Sequence, residues 1–252
     1  MVRKDGGRGQ REIMNYPTLE ELLNAGVHFG HLSSRWNPKM KANIFATRNN
    51  VHIINLERSL EKLKEAMDFV KDLSARGGTV LFVSTKRQAK DEIKKAAESC
   101  GMPYVSIRWL GGTFTNYKVI QKTIKKLEKL QKLKESPDFD VKYIKKERLL
   151  IEREMVKLEN LFRGIKSMKK LPDAIFVADI NHDKIAVDEA KKTKIKVIGL
   201  VDTNGDPERI DFPIFSNDDA IKAIALMTGC IAAAVNEGKA SVPVAMPVME
   251  TK

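Results

Sequence analysis

Asp179, Asp202, Asp206, Asp218 and Asp219 are the residues of this 252-residue chain whose type and placement come closest to ligand chemistry. Each stands at or just beyond the end of an apolar run that reads as a β-strand. In an open α/β sheet that edge is the ligand crevice, and carboxylates gathered there can hold a divalent metal ion such as Mg2+. Asp202, Asp218 and Asp219 are the candidate ligands. Helix capping competes with that reading, because Asp218 and Asp219 open a helix, where negative charge is favoured. His28 and His31 form an HxxH pair with no third donor close in sequence, a pattern that a packed turn explains better than a metal does.

The motifs that would make this edge an active site are missing. The turn after Thr79–Ser84 reads Ser84-Thr85-Lys86-Arg87-Gln88, without the glycines that let a pyrophosphate approach a helix N-terminus. No GxxxxGK[ST] loop, GxSxG elbow or HExxH pair occurs. No catalytic residue is assigned, and a nucleotide- or phosphate-using enzyme has only the acidic residues in its favour.

Positive charge is placed more deliberately. In His28–Lys41, Arg35, Lys39 and Lys41 interleave with Trp36, which suits phosphate contact with base stacking; a loop in which Trp36 caps the core is the alternative. Lys86 and Arg87 follow a strand and open a helix, where free N–H groups and two cations make an anion site for RNA phosphate. Arg108 begins the run RWLGGTFTN, whose Thr115 or Asn116 can cap the next helix. Lys118 and Lys122 lie on that helix, one turn apart.

Those residues need a scaffold, and the pattern supplies one. Thr18 and Glu21 form a capping box for a short helix ended by Gly26. Val51–Leu56 reads as a short strand. Leu60, Leu63, Met67, Val70 and Leu73 follow at helical spacing until Gly77-Gly78. Thr79–Ser84 is an uninterrupted apolar strand of the kind buried on both faces of a parallel sheet. A helix over about 86–99, a strand at Tyr104–Ile107, a strand at Ala174–Ala178, a helix over about 182–193, a strand at Val197–Val201, a short strand at Ile214-Phe215 and a helix over Asp218–Asn236 complete the alternation. This predicts an α/β fold with an open, mostly parallel sheet.

Residues 117–170 interrupt it. Tyr117, Ile120, Ile124 and Leu127, then Ile151, Met155, Leu158, Phe162 and Ile165, fall at three- and four-residue spacings around the breaker Ser136-Pro137-Asp138. We read an inserted α-helical coiled-coil hairpin. Residues 118–170 carry seventeen Lys and Arg against eight Asp and Glu, so most of the chain's net charge of +12 is there. The expected division is a flexible basic arm over 1–17, an α/β domain of 18–116 and 171–236, the hairpin of 117–170, and a flexible tail over 237–252.

With a pI of about 9.5, the chain should meet a polyanion. No apolar run approaches the ~18–20 residues of a membrane span, and the N-terminal segment lacks the apolar core of a secretory signal. A basic arm without a lipidation signal attaches only marginally to anionic lipid, so no membrane partner is expected. Cys100 and Cys230 form neither a CxxC pair nor a four-cysteine zinc site. The expected location is cytoplasmic.

The stretches AGVHFGH (25–31), RWNPKM (35–40), VHIINL (51–56), STKRQA (84–89), RWLGGTFTN (108–116), KKE (145–147), LPDAIFVAD (171–179), DTNGDP (202–207) and NDDA (217–220) occur in an order that resembles the bacterial small-subunit ribosomal protein two family. The resemblance spans about residues 18–236. It implies a flavodoxin-like parallel sheet with a protruding coiled-coil hairpin. It also implies a structural role in the small ribosomal subunit, contact with small-subunit (16S) rRNA and neighbouring ribosomal proteins, and recruitment of the large mRNA-binding ribosomal protein one. No cofactor is required by that role. The chain departs from the family pattern at Ser84, Gly205 and Phe215-Ser216.

Overall fold

The computed structural model describes residues 16–241, without the side chains of residues 140 and 141. Most of the arm expected at 1–17 lies outside the described residues. Its last two positions are docked: Pro17 is buried, and the Tyr16 hydroxyl donates to Asp68 Oδ1 at 2.7 Å.

Helix α1 (Leu19–Asn24) starts on the expected capping box, Thr18 and Glu21 bonding each other's backbone N–H. Three strands follow where only one was expected: β1 (Phe29–Leu32), β2 (Ile44–Arg48) and β3 (Val51–Ile54) form a small antiparallel sheet in the order β1-β3-β2. Asn49 and Asn50, at φ +50° and +61°, make the two-residue turn that brings Arg48 opposite Val51. Asparagine tolerates that left-handed conformation, and the turn's twist matches the strands it joins.

The main sheet is parallel throughout. Helix α2 (Leu56–Ala75), capped by Asn55, leads to β4 (Val80–Val83), α3 (Lys90–Cys100) and β5 (Tyr104–Val105). The insertion comprises α4 (Tyr117–Glu135), a short α5 (Phe139–Lys142) and α6 (Lys145–Phe162). Then come β6 (Ala174–Val177), α7 (Lys184–Lys192), β7 (Lys196–Val201), β8 (Phe212–Phe215) and α8 (Ile221–Ala240). The strand order β5-β4-β6-β7-β8 is the flavodoxin-like order, in which the chain reverses direction of travel between β4 and β6.

Alternating side chains feed two cores. Val80, Phe82, Ala174, Phe176, Ile198, Leu200 and Ile214 face one cluster with α2, α3 and α8. Leu81, Val83, Ile175, Val177, Val197, Val201 and Phe215 face the other, with α7 and the base of α4. A strand buried on both faces needs no polar alternation, which is why these runs are continuously apolar.

Several expected boundaries move. The helix expected from about residue 86 begins at Lys90, so Lys86 and Arg87 lie in the turn before it rather than in its first turn, and the strand expected at 104–107 ends at Val105. The last helix begins at Ile221 rather than Asp218, because Asn217 Oδ1 accepts from the N–H groups of Asp219 (2.7 Å) and Ala220 (2.9 Å) and holds 217–220 as a turn. It runs on to Ala240, through residues assigned to a flexible tail. Gly238 permits this: a side chain there would collide with the Lys71 carbonyl of α2. This helix also reaches the length and apolarity of a membrane span, against expectation; half of it is buried within the domain, where it packs on α2 and α3.

In the insertion, α4 and α6 pack against each other, with Lys126–Glu154 and Lys134–Glu152 ion pairs between them. Of the nine apolar positions expected to line the hairpin, Ile120, Ile124, Leu127, Phe162 and Ile165 are buried, whereas Tyr117, Ile151, Met155 and Leu158 are only partly buried. At the base the Tyr117 hydroxyl donates to the Met168 carbonyl at 2.8 Å.

Candidate nucleic-acid interface

The loops after β4, β5, β6 and β7 share one edge of the sheet, and the acidic residues meet there. Asp179 follows β6, Asp202 follows β7, and Asp218 lies in the turn before α8. All three are buried, at 6%, 2% and 2% exposure. A cluster of buried carboxylates requires a cation. Lys86, from the loop after β4, supplies it: its Nζ is 2.9 Å from Asp179 Oδ2, 2.9 Å from Asp218 Oδ1 and 2.7 Å from Asp219 Oδ1. Burial would lower the Lys86 pKa, but the charge of Asp218 and the bonds to Asp219 and Asp179 raise it. Burial, with repulsion from Asp179 and Asp202, pushes Asp218 up to about 7.

Lys86, expected to meet RNA phosphate, is thus engaged by carboxylates of its own chain. Its charge is neutralised within the chain, at the chain-reversal point where an α/β sheet ordinarily takes its ligand. Thr85 in the same turn is engaged as well: Asp183 accepts from the Thr85 N–H (3.0 Å) and Thr85 hydroxyl (2.7 Å), which leaves Arg87 as the exposed cation of the expected anion site.

His28 and His31 part company. His28 lies against Phe29, ring centroids 4.0 Å apart, and burial lowers its pKa. His31 turns into the crevice, its Nδ1 3.1 Å from Asp202 Oδ2 and its Nε2 3.5 Å from Asp219 Oδ2. The bond to Asp202 outweighs burial and raises its pKa to about 9. The donor atoms of His31, Asp202 and Asp218 lie within 4.8 Å of one another. Of the expected metal ligands, Asp202 and Asp218 are therefore brought together with His31, while the more exposed Asp219 faces Lys86 and His31 from the rim. One imidazole and two carboxylates suit a zinc-like ion better than Mg2+, which favours oxygen donors and keeps its waters. Such an ion would have to displace the His31 proton and compete with Lys86 for Asp218.

The remaining expected cations reach solvent. The segment carrying Arg35 to Lys41 is tied to the loop after β7: His31 N–H donates to the Thr203 hydroxyl at 2.9 Å, and Asn37 N–H to the Thr203 carbonyl at 2.8 Å. A side chain at Gly30 would strike Thr203, so glycine is needed for this approach. Arg35 and Lys41 are exposed. Trp36 is 36% exposed, its ring 5.4 Å from that of His52, which leaves part of its face for stacking. Lys39 departs from expectation: its ammonium pairs with Asp206 (3.0 Å) and Glu208 (2.5 Å), which weakens it as a phosphate contact. Arg87, Arg108, Lys118 and Lys122 are exposed, and like Arg35 and Lys41 they make no ion pair among the described residues.

Two features escaped the sequence. Glu189 of α7, buried among apolar residues, binds the loop of residues 109–115. An apolar groove of about 460 Å³ lies between α1, the β2–β3 hairpin and the start of α2, lined by Leu19, Leu23, Phe45 and Ile53. Phe45 is 75% exposed at its rim.

Compared with known protein families, the chain matches the family model described as ribosomal protein S2, over residues 22–238.

Proposed function

The chain belongs to the ribosomal protein S2 family, a family of structural ribosomal proteins, and from that premise we propose that it binds small-subunit rRNA in a bacterial-type, cytoplasmic ribosome through the edge of its sheet and the base of its hairpin. One observation carries the reading. Arg35, Lys41, Arg87, Arg108, Lys118 and Lys122 are exposed and unpaired among the described residues, whereas the cations at the crevice are neutralised internally. Unpaired guanidinium and ammonium groups on a rigid frame suit a folded RNA backbone, read by shape and phosphate rather than by base sequence.

The test is sedimentation of lysate containing the tagged protein through sucrose at moderate and high salt. Comigration with small subunits, lost only at high salt, is expected. A protein that stays at the top of the gradient at every salt concentration defeats the proposal.

Protein partners have their own surface. The groove at Leu19, Leu23 and Phe45 is apolar and exposed, which supports contact with a neighbouring ribosomal protein, the mRNA-binding ribosomal protein one among them. The role requires no cofactor. A divalent ion on His31, Asp202 and Asp218 is a secondary proposal, supported by their converging donors. Calorimetry with Zn2+ tests it, and absence of heat at millimolar ion removes it.

A further inference from the structure

We propose that Glu189 is the positioning residue of the RNA-binding surface, an internal anion that fixes where Arg108, Lys118 and Lys122 stand relative to the sheet. The inference rests on the rRNA-binding reading above and goes beyond it by naming what orients the hairpin.

Glu189 lies on α7, packed beneath the sheet with 6% exposure. Both carboxylate oxygens serve one loop. Oε1 accepts from the Gly112 N–H at 2.6 Å and the Trp109 indole N–H at 3.3 Å. Oε2 accepts from the N–H groups of Phe114 (2.9 Å) and Thr115 (3.2 Å) and from the Thr115 hydroxyl (3.3 Å). Converging backbone N–H groups of this kind make a concave anion site. Gly112, at φ +91°, provides the left-handed residue that lets the loop curl round the carboxylate.

The loop has Arg108 immediately before it and α4 immediately after it, so its conformation sets the exit direction of the insertion. Trp109 and Phe114, in edge-to-face contact with centroids 4.9 Å apart, lock it into the core on the same face as α7. A buried carboxylate with five donors is held rigidly. Burial acts to raise its pKa, but the bonds from Phe114, Gly112, Thr115 and Trp109 prevail and keep it ionised. Glu189→Gln keeps the shape but replaces one acceptor oxygen with an NH2 donor, so at least two loop donors face a group that cannot accept them.

The test is a double-mutant cycle on the full chain, read as affinity for small subunits stripped of their own copy of this protein. Glu189→Gln is expected to weaken rebinding by about tenfold, and R108A/K118A/K122A by a similar or larger factor. If Glu189 acts through those three cations, adding E189Q to R108A/K118A/K122A changes affinity by less than about twofold. Hydrogen exchange should quicken at Gly112, Phe114 and Thr115 and stay slow in β4 and β6. A full tenfold loss in both backgrounds, or no loss in either, overturns the positioning role. Should E189Q fail to fold, Trp109→Phe removes a single donor to the same carboxylate and enters the same cycle with a two- to threefold effect expected. Failure of the wild-type chain to rebind would instead defeat the rRNA-binding reading itself.

Discussion

Lys86 Nζ stands 2.9 Å from Asp218 Oδ1, and this contact joins the loop after β4 to the turn before α8 across the centre of the crevice. Both groups are largely buried, with side-chain exposures of 13% and 2%. Removing one partner of a buried pair strands the other charge, at a cost of about 3–5 kcal/mol. Lys86→Met is therefore expected to lower the unfolding free energy by about that amount in urea titration. Arg87→Ala, one residue along and exposed, should leave stability within about 0.5 kcal/mol and weaken binding to small subunits. If K86M leaves stability unchanged, the crevice is not held by this pair.

His31 gives the fold a pH dependence. Its folded-state pKa of about 9 lies above the ordinary 6.5, so the contribution of its pair with Asp202 is complete below pH 6.5 and is lost as pH rises through about 9. With its partial exposure, that contribution is on the order of 2 kcal/mol. Urea unfolding at pH 6.5 and pH 9.5, with chelator present, should show the wild type losing more stability than His31→Gln. Parallel curves for the two proteins would exclude the pair as the source.

The parallel sheet was legible because its strands are buried on both faces, and Val80–Val83, Ala174–Val177 and Val197–Val201 stand out as apolar runs between helical periods. The antiparallel sheet was not. β1 contains Gly30 and His31, β2 has an exposed face, and the turn that pairs β2 with β3 is Asn-Asn, in which the demand for positive φ is met without glycine. The crevice was half legible. Its carboxylates could be placed at strand ends, but their counter-charge could not, because Lys86 and Asp218 are brought together only by the parallel order of β4, β6, β7 and β8. Glu189 was hidden by distance: its loop lies some 75 residues earlier, and in sequence it is one more charge on a lysine-rich helix.

The apolar groove predicts a separable defect. Phe45 is 75% exposed, so Phe45→Glu removes little burial and should shift the unfolding free energy by less than about 0.5 kcal/mol. A charge at the rim of an apolar docking site should nonetheless abolish association with a neighbouring protein. Small subunits reconstituted with F45E should contain this chain at normal occupancy and lack that partner, as measured by mass spectrometry of gradient fractions. A full complement of partners would place protein contact elsewhere.

Salt dependence should report the number of phosphates engaged at the hairpin base. Arg108 is exposed at the foot of the loop, and Lys118 and Lys122 share a face of α4 one turn apart, so all three can meet one stretch of backbone. Each neutralised phosphate releases condensed counterion and contributes about 0.7–0.9 to the slope of log affinity against log salt. Replacing all three with alanine is expected to flatten that slope by about 2–3 and to weaken binding most at low salt. Replacing Lys39 should barely change it, because its ammonium is engaged by Asp206 and Glu208 and neutralises no phosphate. The contrast matters more than either value. If Lys39→Ala flattens the slope as much as any of the three, internal pairing does not decide which cations meet RNA, and the surface assigned here loses its basis.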